Sequence, residues 1–276
     1  MNRYAFRAWD MEEKRMWSWN EILGVTVGTY KLEKMKVGEL FRSGRYIVMQ
    51  WTGEKDKNRN YIYEEDFVIE KENEGIKYRV FYEPGCAGYE TEPEGETILN
   101  MRPGMNPGTT KHLIIQGNIY ETYFKETDGK AEWKIKKYEQ ARAAMIRLAF
   151  RAWDEKEKKM IPWKGLFELS VYELFQSGRY DVMQWTGTMD NRNKFIFEGD
   201  ILQKGMSGKH KYIAYWANCI PGFWTWALIP DKHERPELGA DRRTGSIFVI
   251  GNTYENPDEA KYNTLEEIYK GSWAEP

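Results

Sequence analysis

The chain contains one domain-sized sequence pattern twice. The stretch from Glu39 to Gly53 returns from Glu173 to Gly187 with thirteen of its fifteen positions identical. Two shorter blocks, FRAWD and GNxYE, recur in the same order, and their copies begin at Phe6 and Phe150 and at Gly117 and Gly251. Three blocks repeated in one order predict a tandem duplication of a single domain.

The duplication divides the 276 residues into two repeats and a connection. We expect repeat 1 over residues 1–126, a helical linker over residues 127–145 and repeat 2 over residues 146–276. The linker prediction rests on the helix-forming run from Lys130 to Met145. Each repeat has the usual size of a domain and is long enough to close a hydrophobic core.

The composition is that of a soluble globular protein, with 41% hydrophobic and 30% charged residues. No stretch approaches the ~20 apolar residues of a membrane span, and the N-terminal residues lack the apolar region of a secretory signal. We therefore expect a cytoplasmic protein that binds no membrane. Its two cysteines, Cys86 and Cys219, are interpreted as reduced thiols, with a disulfide between the repeats as the alternative.

The charge is nearly balanced in both repeats. The formal net charge of the chain is −2. It is the sum of −2 over residues 1–125, +1 over residues 126–145 and −1 over residues 146–276. Neither repeat has the basic surplus of a nucleic-acid-binding domain, so we expect no strong binding of nucleic acid. A local basic face could still be concealed within the balanced total.

Short runs of β-forming residues between turns predict a mainly β fold, with a small barrel or open sandwich in each repeat. A hairpin is expected after each FRAWD block, followed by a strand in the MQWTG block and a short aromatic–Ile–aromatic strand. The segments 90–111 and 230–245 are too rich in Pro, Gly and charge for a prediction. Further strands are expected at Lys77–Tyr82, His112–Gln116, Lys211–Trp216, Phe223–Leu228 and Ile247–Ile250.

A short helix is expected in each repeat before the MQWTG strand. Ser170 and Glu173 form a capping-box pattern and Gly178 can end the helix, whereas repeat 1 has Lys36 at the cap position. A second capping box at Thr264 predicts a short C-terminal helix. Another difference concerns a tight turn, where repeat 1 has Glu65 in place of a glycine. Either Glu65 adopts a strained conformation or the turn differs.

These motifs resemble the YopX family, a group of small proteins encoded by phages and prophages. The resemblance covers nearly all of both repeats, and repeat 2 is the better copy because repeat 1 departs at Glu65 and at Thr122-Tyr123. It implies an all-β fold with an SH3-like, partly open barrel toward the C-terminal part of each repeat, and an origin in a mobile element. It brings no catalytic residues.

The best candidates for a metal site are two carboxylate pairs, because oxygens at positions i and i+2 can converge on one hard cation. The alternative is that Asp200 caps its turn and Glu198 is a solvated edge residue. Hydrolytic sites usually need a third ligand, which Asp10 or Asp154 would supply only if the fold brings it close. We expect no metal, cofactor or catalytic residues. The two pairs are Glu64 with Asp66 and Glu198 with Asp200.

Three tryptophan pairs and two arginine pairs also recur. We expect the tryptophans to fill the cores, with Trp51 and Trp185 largely buried, and stacking platforms for nucleic acid or sugar are the alternative. Trp224 and Trp226, present in repeat 2 alone, are candidates for an interface. The arginines are expected to pair with carboxylates such as Asp10 rather than phosphate. The recurring pairs are Trp9 with Trp153, Trp19 with Trp163, Trp51 with Trp185, Arg7 with Arg151 and Arg45 with Arg179.

Three functions are consistent with this pattern. The first is a non-enzymatic phage or prophage accessory protein that works as a protein-interaction or assembly module. A duplicated domain presents two similar surfaces, like a covalent dimer, which suits a symmetric or repeated partner and also permits self-association. The alternative is a nucleic-acid-binding module, because Trp-rich sheets can serve that role. A metal-dependent enzyme is the third. The three histidines, His112, His210 and His233, have no histidine counterparts in the other repeat, so they support no duplicated catalytic site.

Overall fold

The computed structural model describes residues 4–25, 34–70, 73–83, 87–94, 103–125, 148–205, 210–217, 222–227 and 247–259. The predicted linker helix, the predicted C-terminal helix at Thr264 and both cysteines lie outside these residues. The division into residues 1–126, 127–145 and 146–276 stays a prediction.

Repeat 1 contains eight strands and four short helices among its described residues. The strands are β1 (Phe6–Asp10), β2 (Arg15–Trp17), β3 (Tyr46–Lys55), β4 (Tyr61–Tyr63), β5 (Asp66–Glu70), β6 (Asn73–Glu83), β7 (Gly88–Pro93) and β8 (Leu113–Asn118). The helices are α1 (Trp19–Ile22), α2 (Val37–Arg42), α3 (Pro107–Thr110) and α4 (Ile119–Lys125).

Repeat 2 follows the same order of strands. They are β9 (Phe150–Asp154), β10 (Lys159–Ile161), β11 (Tyr180–Met189), β12 (Phe195–Phe197), β13 (Asp200–Lys204), β14 (His210–Ala217), β15 (Gly222–Ala227) and β16 (Ile247–Asn252). A 3-10 helix (Trp163–Leu166) occupies the place of α1, and α5 (Val171–Gln176) occupies that of α2. The prediction of a mainly β fold in two tandem halves is confirmed.

The strands form three antiparallel sheets, one of which belongs to both repeats. The N-terminal strands of each repeat make a four-stranded sheet, in the order β2-β1-β3-β4 and β10-β9-β11-β12. The remaining strands form one eight-stranded sheet in the order β16-β13-β14-β15-β7-β6-β5-β8. The repeats meet where β7 pairs with β15 at Gly88 and Gly222, and the Phe223 backbone N–H donates to the Ala87 carbonyl at 2.8 Å.

The predicted local signals act as expected. The Ser170 hydroxyl accepts a hydrogen bond from the Glu173 N–H at the start of α5, whereas Lys36 makes no side-chain cap for α2. Gly44 and Gly178 take φ values of 75° and 73° just after these helices. Glu65 adopts a left-handed φ of 64°, so repeat 1 keeps the tight turn at the cost of backbone strain.

Several elements were not predicted, namely the short helices α1, α3 and α4, the 3-10 helix and strand β7. Strand β7 lies mostly in the segment 90–111, which is rich in Gly, Pro and acidic residues. Helix α4 follows directly on β8, and the Asn118 side chain accepts from the N–H groups of Tyr120 and Glu121 at its start. In repeat 2 the equivalent Asn252 accepts in the same way, although residues 253–255 form only a turn.

The largest hydrophobic core is built by both repeats together. Phe6 and Phe150 are fully buried in it, and their rings meet edge to face with centroids 6.1 Å apart. A second core lies on the eight-stranded sheet and includes Tyr78 of repeat 1 and Tyr212 of repeat 2. A third, smaller cluster surrounds Trp9 in repeat 1. Two of the three hydrophobic clusters therefore contain residues of both repeats, although each repeat is long enough for a core of its own.

Candidate interaction surface on the paired repeats

The two repeats pack around an approximate two-fold axis. At four positions a residue of repeat 1 contacts its own counterpart in repeat 2, which is the signature of a self-complementary interface. The amides of Gln50 and Gln184 exchange two hydrogen bonds of 2.9 and 2.8 Å in the buried interior. The four contacts are Phe6 with Phe150, Lys36 with Ser170, Gln50 with Gln184 and Gly88 with Gly222.

Main-chain hydrogen bonds beside the axis follow the same symmetry. The N–H of Val37 donates to the Leu169 carbonyl at 2.9 Å, and the N–H of its counterpart Val171 donates to the Met35 carbonyl at 2.8 Å. These bonds fix the first turns of α2 and α5 against the opposite repeat. These direct contacts between the repeats consequently fix the position of one repeat relative to the other.

The two aspartates of the candidate metal-binding pairs serve the fold, and Glu198, expected as a solvated edge residue, is buried like Glu64. Asp66 pairs with Arg7 and Asp200 with Arg151, each at 2.7 Å. The second oxygen of each aspartate accepts a hydrogen bond of 2.8 Å from a backbone N–H. The donor is Tyr63 for Asp66 and Phe197 for Asp200. Burial raises the pKa of the Asp66 carboxyl to about 6, against the opposing effect of Arg7. Among the described residues no group of three or more His, Cys, Asp or Glu side chains is placed to hold a metal ion.

The arginines pair with carboxylates, as predicted. Arg45 contacts the buried Asp10 at 2.7 Å, and Arg179 contacts Asp154 at the same distance. The hydrogen bond from Arg179 lowers the pKa of Asp154 to about 2. The two aspartates also accept backbone hydrogen bonds in the turn after β1 and β9, so they stabilise hairpins and supply no ligand to the Asp66 or Asp200 region.

Of the six duplicated tryptophans, Trp9 belongs to a core cluster and Trp19 and Trp163 pack against one, whereas Trp51, Trp153 and Trp185 lie outside the three clusters. Trp185 is buried, with 8% of its surface exposed, whereas Trp51 is only partly buried. Both lie against the edge strand of a four-stranded sheet rather than in one of the three core clusters. The side chains of Trp224 and Trp226 lie outside the described part of the structure.

The edge strands β4 and β12 carry two of the three exposed aromatic rings among the described residues, and the third is Tyr172 on α5. We call the two sets aromatic strips. In strip 1, the ring of Trp51 lies 4.7 Å from Tyr61, which is 46% exposed. In strip 2, Trp185 stacks on Phe195 at 4.6 Å, and Phe195 is 36% exposed. Strip 1 consists of Trp51, Tyr61 and Tyr63, and strip 2 of Trp185, Phe195 and Phe197.

Arginine and lysine side chains lie over the strips. The guanidinium of Arg7 is 4.9 Å from the Tyr63 ring centre, and that of Arg151 is 5.0 Å from Phe197. Lys55 lies 4.8 Å above Tyr61. Its counterpart in repeat 2 is the exposed Met189, so strip 2 is the more apolar of the two.

The turn beside strip 1 hides its carboxylates and exposes its cations. Asp56 is buried and accepts from the N–H groups of Asn58 and Asn60 at 2.9 and 2.8 Å, while Glu54 is also buried. Repeat 2 repeats this arrangement with a buried Asp190 and exposed Arg192 and Lys194. The exposed cations of repeat 1 are Lys55, Lys57 and Arg59.

Each strip therefore ends in a basic tip that the balanced net charge conceals. The number of charged residues in the sequence does not reveal the basic tip, because it does not show whether a carboxylate is buried or exposed in the turn. The Asp-x-Asn spacing was the available signal, since such an aspartate bonds its own backbone.

Known proteins match the chain as follows. A family model described as YopX protein matches residues 5–123 and 149–259. A crystal structure described as protein EF1440 from Enterococcus faecalis matches at 23% identity and a TM-score of 0.29, covering 40% of this chain and 95% of that chain. No curated protein matches the chain. In the part of the chain that the structure describes, no helix is long and apolar enough to cross a membrane.

Proposed function

Because the chain belongs to the YopX family, whose model matches both repeats, we propose that it is a non-enzymatic accessory protein of phage or prophage origin. In this proposal it works in the host cytosol and binds a protein partner through its two aromatic strips. The supporting observation is the approximate two-fold axis, which gives one chain two equivalent strips.

Two strips on one chain favour a partner that is itself two-fold symmetric or repeated. Once one strip is engaged, the second binding event becomes intramolecular, which can raise the overall affinity by about 10²–10⁴ without any new contact. A single strip exposes few large rings, chiefly Tyr61 or Phe195, and so presents a small surface on its own.

The chemistry of the strips indicates an extended, acidic protein segment with apolar side chains. The exposed rings offer apolar contact area, and the basic tips offer Lys55, Lys57 and Arg59 in repeat 1 and Arg192 and Lys194 in repeat 2. Charges of opposite sign steer such a partner toward the site and fix its direction along the edge strand.

Affinity capture from host cells during phage infection tests the proposal. The wild type is compared with Tyr61→Ala, Phe195→Ala and the double variant, and with Tyr172→Ala as a control because Tyr172 is also exposed but lies on α5. We expect a protein that is retained by the control, reduced by each single variant and lost with the double variant. Identical capture by all five proteins would contradict a role for the strips.

The basic tips also favour nucleic-acid binding as a second candidate, because exposed rings beside cations are typical of single-strand binding surfaces. Fluorescence anisotropy at about 150 mM salt distinguishes the two. With residues 1–125 at −2 and residues 146–276 at −1, we expect binding no tighter than the nonspecific range of about 10⁻⁴–10⁻⁶ M. Submicromolar binding that weakens steeply with salt, and is lost in Lys55→Ala/Lys57→Ala/Arg59→Ala, would favour nucleic acid over a protein partner.

A further inference from the structure

We propose that the surface joining the repeats is a heterotypic docking surface, which accepts a YopX repeat of the opposite type and rejects one of its own type. We call it the pairing surface. It consists of Phe6, Lys36, Gln50 and Gly88 with their counterparts and the residues bonded beside them. This inference goes beyond the proposed function and does not depend on it.

The centre of the pairing surface does not distinguish the repeats. Phenylalanine meets phenylalanine, glutamine meets glutamine and glycine meets glycine across the axis. Two copies of repeat 1, or two copies of repeat 2, would satisfy these contacts equally well. Any preference for unlike repeats must therefore come from the residues around the centre.

The strongest preference for unlike repeats over two copies of repeat 2 comes from Gly38. Its N–H donates to the Phe167 carbonyl at 3.0 Å, and a Cβ at this position would lie 3.1 Å from both the Cβ and the carbonyl oxygen of Phe167. The counterpart of Gly38 in repeat 2 is Tyr172. Two copies of repeat 2 would bring Tyr172 against Phe167 at a distance tighter than most Cβ contacts, so Phe167 would have to shift, twice across the axis.

A buried hydrogen bond adds to the rejection of like pairs of repeat 2. The Tyr4 hydroxyl reaches across the axis and donates to the Val182 carbonyl at 2.9 Å and to the buried Glu198 carboxylate at 3.0 Å. The counterpart of Tyr4 is Leu148, which cannot donate. In a pair of two repeats 2, each buried Glu198 would lose this donor, and losing a partner inside a protein is costly.

Like pairs of repeat 1 are opposed by charge. Lys36 pairs with Glu168 of repeat 2 at 2.7 Å, and the counterpart of Glu168 is Lys34. Two copies of repeat 1 would therefore bring Lys36 close to Lys34 on both sides of the axis. These side chains are exposed, so each lysine pair discriminates weakly. Repulsion would replace the attraction between Lys36 and Glu168 at one site and would be added at the other, where the corresponding residues are Lys34 and the neutral Ser170.

The full chain, carrying a protease site inserted into the 127–145 segment, provides the test. After cleavage the protein is mixed with a ¹⁵N-labelled cleaved sample, exchanged in mild urea and analysed by native mass spectrometry. We expect complexes of one repeat 1 with one repeat 2 to dominate, with like pairs at least about tenfold below a random distribution. Separation into single repeats, or like pairs at the random level, would overturn the proposal.

Substitutions that copy one repeat into the other identify the cause. Tyr172→Gly should raise the population of repeat 2 pairs, and Lys34→Glu with Lys36→Ser should raise that of repeat 1 pairs, while the distant Tyr61→Ala should change neither. Gly38→Tyr should weaken the complex of unlike repeats after cleavage. If Gly38→Tyr fails to fold, Tyr172→Gly alone still tests the role of this position. If Tyr172→Gly forms no more repeat 2 pairs than the wild type, the role assigned to Gly38 is contradicted.

Discussion

The same pair of stacked rings has an apolar environment in repeat 1 and an acidic one in repeat 2. Trp9 and Tyr120 stack with centroids 6.2 Å apart, and Trp153 and Tyr254 stack at 5.7 Å. Trp9 is 3% exposed within a hydrophobic cluster, whereas Trp153 is only partly buried. The same ring pair is thus found in an apolar and in an acidic environment, and the neighbouring residues determine whether the rings are fully buried. Three of them differ: Met11, Ile47 and Ile119 correspond to Glu155, Asp181 and Thr253.

Acidic neighbours change the electrostatics of the stack in repeat 2. Partial desolvation raises the pKa of the Asp181 carboxyl although much of the residue is exposed, and a hydrogen bond to Glu155 raises it further. A hydrogen bond from Lys158 lowers the pKa of Glu155, so Asp181 is the member of the pair that holds a proton more readily. Burial beside these carboxylates also raises the pKa of Tyr254.

The largest effect is expected from removing the tryptophan of each stack. Trp9→Ala should lower the free energy of unfolding by roughly 3–5 kcal/mol, because it leaves a cavity in a closed cluster. Trp153→Ala should cost about 1–2 kcal/mol less, because part of that ring is already hydrated. Urea denaturation of both variants measures the difference, and equal losses would show that the two surroundings do not differ energetically.

Exchanging the aliphatic neighbour of one stack for the acidic neighbour of the other should change the stability of the protein in opposite directions. Ile47→Asp should cost about 1–3 kcal/mol, because it places a carboxylate in the apolar cluster without a designed partner. Asp181→Ile should stabilise the protein by less than about 1 kcal/mol, since Asp181 is exposed and the Tyr254 hydroxyl loses its acceptor. Thermal melts of the two variants compare the exchanges, and stabilisation by Ile47→Asp would refute the interpretation.

The glycine of the tight turn should show a smaller contrast. Gly199 has a φ of 78°, so Gly199→Ala should destabilise the protein by about 1 kcal/mol. Glu65→Gly relieves the φ of 64° but removes the ion pair of Glu65 with Arg79 at 3.0 Å. We expect these effects to offset to within about 0.5 kcal/mol. Chemical denaturation checks both variants, and a large loss in Glu65→Gly would assign the main role to the ion pair.

The smallest expected effect is a pH dependence found in repeat 2 alone. Since the pKa of Asp181 is raised in the folded protein, its contribution to stability is full below the unfolded value of about 3.9 and is lost as the pH rises through the folded value. The stability of the wild type relative to Asp181→Asn should therefore fall as the pH rises above about 4, and should level off once the pH exceeds the raised pKa of the folded state. Glu155, Lys158 and Tyr254 face this group. A flat difference would show that Asp181 is fully hydrated.

Local sequence signals predicted most strands because alternation and turn residues act over a few positions. The hairpin after FRAWD, the cap at Ser170 and the left-handed Glu65 all follow from such signals. Helix α4 was missed, although Asn118 followed by Glu121 is itself a capping-box pattern. Strand β7 has no comparable local pattern, since its main partners are β6 and the distant Gly222.

Features of the candidate surface depended on contacts between distant parts of the chain. The duplication predicted two similar surfaces, but no local pattern shows that Gln50 meets Gln184 or that Phe6 meets Phe150. The basic tips were hidden for a different reason, because the burial of Asp56 and Glu54 is set by the turn and not by composition. The strips themselves were foreseen only as aromatic–Ile–aromatic strands.

The pairing of Gly88 with Gly222 sets the timing of folding during synthesis. The two residues are 134 positions apart in the chain, and ribosomes add about 5–20 residues per second. Repeat 1 therefore waits about 7–27 s after Gly88 is made before the strand that covers the edge of β7 exists. During this interval its uncovered edge and the face around Phe6 are open to neighbouring nascent chains, so slow translation of repeat 2 should lower the yield of native protein more than slow translation of repeat 1.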